Sequence, residues 1–323
     1  MNSCLQVDLF GESHGSCIGV LIRNFPFGVK IDFRQVNAEL ARRRPGQSAL
    51  TTARKEDDRP EFISGIFNGC TTGAPIVVII RNKDADSSSY EKIRWTPRPS
   101  HADYPAHVRY QGFNDYRGGG MFSGRLTAGY VIAGALAKQV LKKQGITLKA
   151  ELVEVGGVKG TGKFSKVILA AKEKGDSVDG LVRCTVAGVK AGIGDGLEPL
   201  DGALAGALFN IPGVKGIWFG DTKHRGSENN DPYRMKNGKV VTLTNHCGGI
   251  LGGISTGMPI VFTVHVKPTS SIAKEQKTIN LKTMKDDVIQ VGGRHDSCIA
   301  VRVPVIVESL AAIVILGNLL RQR

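Results

Sequence analysis

Leu5-Gln6-Val7-Asp8-Leu9-Phe10, then Gly11-Glu12-Ser13-His14-Gly15, then Ser16-Cys17-Ile18-Gly19-Val20-Leu21-Ile22 is the stretch on which the reading of this chain turns. Its middle matches G-x-S-x-G, the nucleophile elbow of serine hydrolases, which a strand enters and a helix leaves. The incoming segment reads as a strand. The outgoing segment is β-branched and glycine-spaced, which predicts a second strand where the elbow needs a helix. A tight strand–loop–strand turn therefore offers Ser13 and His14 together. Two chemistries stay open there: Ser13 attacks as a nucleophile, or His14 moves a proton.

Working outward, residues 32–40 place Phe33, Val36 and Leu40 on one helical face with Asp32 as N-cap. This helix runs into Arg42-Arg43-Arg44-Pro45-Gly46, and a proline disfavours helix for the residue before it. Residues 75–80 read as a buried strand. Residues 81–120 show little periodicity and are expected as a long loop, functional or disordered. A long helix is predicted over 123–144, ended by Gly145, with Ala, Gly and Leu packed on both sides. Strands follow near 148–155, 181–186 and 216–219, with a helix over 198–209, and another strand spans 259–266. Residues 304–320 form a second long helix, apolar all round and hence interior. Each long helix follows a glycine/arginine motif, Arg117-Gly118-Gly119-Gly120…Arg125 or Gly292-Gly293-Arg294-His295-Asp296. That suggests an internal duplication of a β/α unit. No linker divides the chain, so a single α+β domain over 1–323 is expected, with central helices between sheets.

Lys and Arg number 43 against 29 Asp and Glu, a net charge of +14. No zinc-finger spacing, basic heptad or RNA-binding aromatic pattern accompanies it, which disfavours nucleic acid. The arginines sit beside glycines and histidines, an arrangement suited to phosphate or carboxylate. Cys4, Cys17, Cys70, Cys184, Cys247 and Cys298 are scattered without C-x-x-C, so free thiols and a cytoplasmic location are expected. Met1 leads into no apolar signal segment. The uncharged stretch 240–266 is broken by Asn245, His246, glycines and Pro259, and the apolar run 309–320 reads as too short for a membrane span.

His14 and His101, each in a turn or proline-bounded loop, are candidate proton donors, and each also reads as a structural loop histidine. His246 and His295 are further candidates. No H-E-x-x-H, H-x-H or H-x-x-x-H pairing occurs, so no metal is expected. Gly118-Gly119-Gly120 ahead of a helix, with Arg125 a turn later, suits a phosphate at a helix N-terminus. It matches neither Walker A nor G-x-G-x-x-G. Lys267-Pro268-Thr269-Ser270-Ser271 supplies hydroxyls and an ammonium for a ribityl chain or a phosphate.

Seven motifs in order, FGESHG, RRRPGQS, RPSHADY, RGGG-x-x-S-x-R, NHCGGILGGISTG, KPTSS and GRHDSC, resemble the chorismate synthase family from about Leu9 to Arg321. The resemblance implies a β-α-β sandwich assembled as a homotetramer. It implies a carbon–oxygen lyase: 5-enolpyruvylshikimate 3-phosphate loses phosphate and a ring proton in an anti-1,4-elimination, giving chorismate with reduced FMN as cofactor. On this resemblance His14 protonates the departing phosphate and His101 stabilises charge near the flavin. Asp296, with Ser13 and Ser123, relays a proton around the flavin. Arg42, Arg43, Arg125 and Arg294 hold phosphate and carboxylates. Met121, Phe122, Ser123, Asn210, Ile211, Gly252, the residues 267–271 and Arg294 line the FMN site. Reduction of the flavin by NADPH (an NADP site) and by an external flavin reductase both stay open. Ala49 stands where many members carry a basic residue, Met121-Phe122 replaces an Arg-Ser pair, and the segment 156–176 is short, a loss expected in surface loops. Outside the resemblance, a hydrolase built on Ser13 and a polyanion-binding module are the competing readings.

Overall fold

The structure, a computed structural model, describes residues 5–44, 46, 58–82, 87–91, 93–292 and 295–322. Strand Gln6–Gly11 pairs antiparallel with Cys17–Arg23, with Gly11 opposite Ile18. Cys17–Arg23 pairs on its other edge with Ile76–Arg81, and Glu61–Ser64 completes a 4-stranded sheet. The β-branched run after Gly15 thus enters the interior of a sheet, where alternate side chains pack on a buried face. No helix leaves the turn, and the nucleophile elbow is absent.

The second sheet is 5-stranded, in the order Val214–Phe219, Ile260–Val266, Gly180–Ala187, Thr147–Val155 and Val158–Lys159. All its pairings are antiparallel. Between the sheets cross two helices, Thr127–Lys143 and Val303–Arg321. The first lies on the N-terminal sheet, where Gly129 sits against Leu9, Gly19 and Val20. The second lies over Thr147–Val155 and Gly180–Ala187. Where the helices cross, Gly134 meets Ser309 so closely that no β-carbon fits. The result is the expected α+β sandwich with helices in its middle layer.

Helix Phe33–Arg43 packs against both central helices, and Asp32 caps it by accepting from Arg34 N at 2.9 Å and Gln35 N at 3.4 Å. One carboxylate is buried in this apolar layer. Glu308 accepts from Arg42 Nη1 and Nη2 at 2.6 and 2.9 Å, from Lys138 Nζ at 2.6 Å and from Ala150 N at 2.9 Å. Burial pushes the Glu308 carboxyl up, but Arg42 and Lys138 outweigh it and hold it below the usual carboxylate range.

Several expectations are revised. Residues 124–126 form a 3₁₀ turn before the first central helix, with Ser123 as its cap. The 81–120 region contains helix Asp103–Arg109 and the 3₁₀ segment Arg117–Phe122; elements this short leave no detectable period. Helix Thr161–Glu173, unforeseen, fills most of 156–176 and buries Phe164, Ile168 and Ala171 at helical spacing. Two polar hairpins, Tyr233–Lys236 with Lys239–Thr242 and Glu275–Asn280 with Lys285–Gln290, were also unforeseen. Residues Ile299–Arg321 are, against the sequence reading, long and apolar enough to cross a membrane; burial between the sheets accounts for that composition.

Candidate functional site

At the ends of the central helices an open cleft of ≈ 760 Å³ gathers residues from both ends of the chain. The Ser13 amide donates to Gly120 O at 3.2 Å, tying the first turn to the glycine run. Gly118 (φ +60°) lies against both side chains of the turn: a β-carbon there would stand 2.5 Å from His14 Nε2 and 2.8 Å from Ser13 Oγ. His14 is buried just behind Ser13, its Nδ1 2.9 Å from Ser87 Oγ and its ring edge-on to Tyr90. Asn82 Nδ2 donates to Glu12 O at 3.0 Å and Gly15 O at 2.9 Å, while its Oδ1 accepts from Arg125 Nε at 3.2 Å. The turn is therefore held by backbone and amide contacts on every side.

His101 is placed similarly. Its Nδ1 meets Asp103 Oδ1 at 2.6 Å, and its Nε2 edge faces Gly119, whose added β-carbon would stand 3.4 Å away. Asp103 also accepts from Arg98 Nε at 2.7 Å and Nη2 at 2.8 Å. Burial pushes the Asp103 carboxyl up, but hydrogen bonds from Arg98 and His101 carry it well below the carboxylate range, so it stays ionised. On the facing wall Lys267 Nζ donates to Ser100 O and to Ser270 Oγ at 3.0 Å. Burial, and then the nearby Lys215, lower the Lys267 ammonium below its ordinary value. Ser271 Oγ accepts from Arg98 Nη1 at 3.1 Å, and Thr269 Oγ1 donates to Asp296 O at 2.7 Å. Asp296 itself pairs with Arg302 at 3.1 Å. The wall thus presents hydroxyls, ammonium groups and guanidiniums together, a donor set suited to an anionic ligand.

The model of the chorismate synthase family matches residues 5–320. The chorismate synthase of Dehalococcoides mccartyi is 43% identical over 99% of this chain and 96% of its own length. That of Thermococcus kodakarensis is 45% identical over 99% and 97%. The chain belongs to the chorismate synthase family. A solved crystal structure of a chorismate synthase superposes with a TM-score of 0.77 at 24% identity, covering 99% of this chain and 92% of that one, which supports the shared fold. Chorismate synthase activity, and with it a step of the shikimate pathway in aromatic amino acid biosynthesis, follows from this membership.

Within the chorismate synthase cleft stand Ser13, Arg43, His101, Met121, Phe122, Ser123, Arg125, Asn210, Ile211, the residues 267–271 and Asp296. Arg42 does not line it, and His14 is buried behind Ser13 and Gly118 of its wall. Neighbouring residues on a helix point about 100° apart, and Arg42 turns toward Glu308 while Arg43 turns toward the cleft. Gly252 is also absent from the lining, because it forms the turn of the Ile250–Leu251 and Ile254–Ser255 hairpin. Arg294 and Ala49 fall outside the described residues. Sequence reasoning missed Arg98 and Asp103 as site residues, although their spacing around His101 in the RPSHADY block carried the signal. It missed Ser87, Tyr90 and Asn82, for which no pattern pointed the way. Among the described residues no cluster of metal ligands occurs, and the cysteines there, Cys17, Cys70, Cys184, Cys247 and Cys298, are free thiols.

Proposed function

We propose that this chain eliminates phosphate and a ring proton from 5-enolpyruvylshikimate 3-phosphate with reduced FMN bound in the same cleft. What carries this reading is the convergence, on one cleft, of the His101 imidazole, two buried guanidiniums and a hydroxyl-rich strip, with the His14 imidazole buried against Gly118 of its wall. The cleft volume lies in the range of small-molecule sites, about 300–1,000 Å³. The donors fit a flavin mononucleotide: Lys267, Thr269, Ser270 and Ser271 suit its phosphate and ribityl hydroxyls, and Asn210, Ile211 and the Met121–Ser123 backbone suit its ring system. Reduced FMN, when held there, would supply the electron density that the breaking of the allylic C–O bond requires.

The protein's part is binding and proton management. Arg43 and Arg125 hold the anionic groups of the substrate by paired N–H···O contacts. His14 gives a proton to the departing phosphate; its Nδ1 is engaged by Ser87 and its Nε2 edge faces Gly118 of the cleft wall. His101, oriented by Asp103, places its Nε2 edge beside Gly119 at the expected flavin position. Asp296, Ser13 and Ser123 carry the ring proton away. Closure of substrate and donors into one cleft supplies the orientation on which such a reaction depends. We further propose a cytoplasmic homotetramer whose flavin is reduced by NADPH or by a separate reductase.

The test is anaerobic incubation of the protein with reduced FMN and 5-enolpyruvylshikimate 3-phosphate, following chorismate formation. Turnover that requires the reduced flavin is expected. Folded protein that binds no flavin, or turns over without it, would overturn the cofactor reading.

A further inference from the structure

We propose that Asp58 is a positioning residue for the substrate: its buried carboxylate sets the two guanidiniums that receive the anionic groups. This rests on the reading above that Arg43 and Arg125 take those groups. Asp58 lies outside every motif and its side chain is 0% exposed. Its Oδ2 accepts from Arg43 Nη2 at 2.7 Å, and its Oδ1 accepts from Arg125 Nη1. Its backbone carbonyl accepts from Arg44 Nη2 at 3.5 Å. Asp58 does not line the cleft, whereas Arg43 and Arg125 both do.

One carboxylate thereby ties together two guanidiniums that both line the cleft. A guanidinium carries five N–H groups in a planar fork, and the contact with Asp58 fixes the plane of that fork. Without Asp58 two buried cations would repel each other and lose a charge-assisted hydrogen bond apiece. Burial pushes the carboxyl up, and Arg43 and Arg125 outweigh it and keep it below its ordinary value, so the negative charge persists at neutral pH. The arrangement also reaches His14. Arg125 Nε donates to Asn82 Oδ1, and Asn82 holds the Glu12 and Gly15 carbonyls of the turn. A single buried anion thereby fixes the distance between the substrate-binding guanidiniums and the proton donor.

The experiment compares the full-length protein with Asp58→Asn and Asp58→Glu at saturating reduced FMN. Loss of a charged hydrogen bond is worth about 1.5–3 kcal/mol, so KM for 5-enolpyruvylshikimate 3-phosphate should rise at least about tenfold in Asp58→Asn. The dissociation constant for FMN should not move, kcat should change much less than KM, and inhibition by inorganic phosphate should weaken in parallel. Should Asp58→Asn not fold, Asp58→Glu keeps the charge but displaces both guanidiniums by a methylene, and its KM should also rise. Wild-type KM in a folded variant, or equal losses of substrate and FMN binding, overturns the proposal. A wild-type protein that does not turn over the substrate at all overturns the reading on which it rests.

Discussion

The crossing of the two central helices makes an unusual demand on Gly134. Exchanging a glycine for alanine inside a helix ordinarily stabilises by about 1 kcal/mol, because alanine restricts the unfolded chain more. At Gly134 the new β-carbon would fall within 3.0 Å of three atoms of Ser309: Cβ, Cα and Oγ. One of these is backbone, and Ser309 is fully buried with its hydroxyl bonded to Val305 O at 2.7 Å, so no flexible side chain can move aside. Restoring ordinary contact requires the helices to separate by roughly 1 Å, which loosens packing along both. Overpacking of this kind costs about 1–3 kcal/mol, and the upper end applies where backbone meets backbone. Gly134→Ala is therefore expected to destabilise by about 2 kcal/mol net of the helical gain. Gly206, inside helix Leu200–Leu208, has nothing within 4 Å of its β-carbon position, and Gly206→Ala should stabilise by up to about 1 kcal/mol. Equilibrium denaturation of both variants at one protein concentration reads the two signs. Equal signs would refute the claim that the crossing is set by backbone contact.

Other consequences follow from the same geometry. Gly118→Ala should abolish turnover while the protein still folds, because the added methyl collides with His14 and Ser13; circular dichroism and the chorismate assay separate the two effects. Arg42→Ala and Arg43→Ala should part company. The first should lower stability and leave KM near normal, since Arg42 serves Glu308; the second should raise KM strongly. Glu308→Ala removes one of two carboxylates on the buried Lys138, leaving Glu39 at 3.0 Å, and takes the acceptor from the Ala150 amide; it should cost about 1–3 kcal/mol in denaturant unfolding. For pH, a carboxylate whose folded value is depressed stabilises fully above its unfolded value and loses that contribution as pH falls through the folded one. Stability of the parent should thus decline as pH drops below about 4.5, the ordinary glutamate value, and Glu308→Gln should show a shallower decline.

The parts of this fold that were legible from sequence are those with a long period or a dense motif. The Leu5–Ile22 stretch announced strand–turn–strand by composition alone, and the two apolar helices announced themselves by length. The polar blocks that meet in the cleft were legible too, because glycine beside arginine or histidine is a local signal. Asp58 was not. It sits in Lys55-Glu56-Asp57-Asp58-Arg59, a run that looks like any solvated charged loop, and only burial distinguishes it. Arg42 was misplaced for the opposite reason. Three consecutive arginines carry no mark of which faces the substrate, and helical rotation alone separates Arg42 from Arg43. Helix Thr161–Glu173 was obscured by its glycine and lysines, which dilute a narrow apolar face to three buried positions.

The glycine run also takes on a different role once the histidines are placed. Read as sequence, Gly118-Gly119-Gly120 suited a phosphate at a helix N-terminus. In the fold all three take non-helical backbone with φ values of 60°, 86° and 54°, and the first two serve as the backs of two imidazoles. Consecutive residues thereby stand against His101 on the cleft wall and against His14 buried behind it, two histidines from loops far apart in the chain. Their Nδ1 partners differ in charge: Ser87 offers His14 a neutral hydroxyl, whereas Asp103 offers His101 an ionised carboxylate already bound by Arg98. The contrast lies in the direct hydrogen-bond partner alone, since the Asp115 carboxylate also acts on His14 through space. The division of labour proposed for the two histidines rests on that difference in partner, and Ser13, which began as the nucleophile of a serine elbow, is left as a hydroxyl against a glycine on the cleft wall.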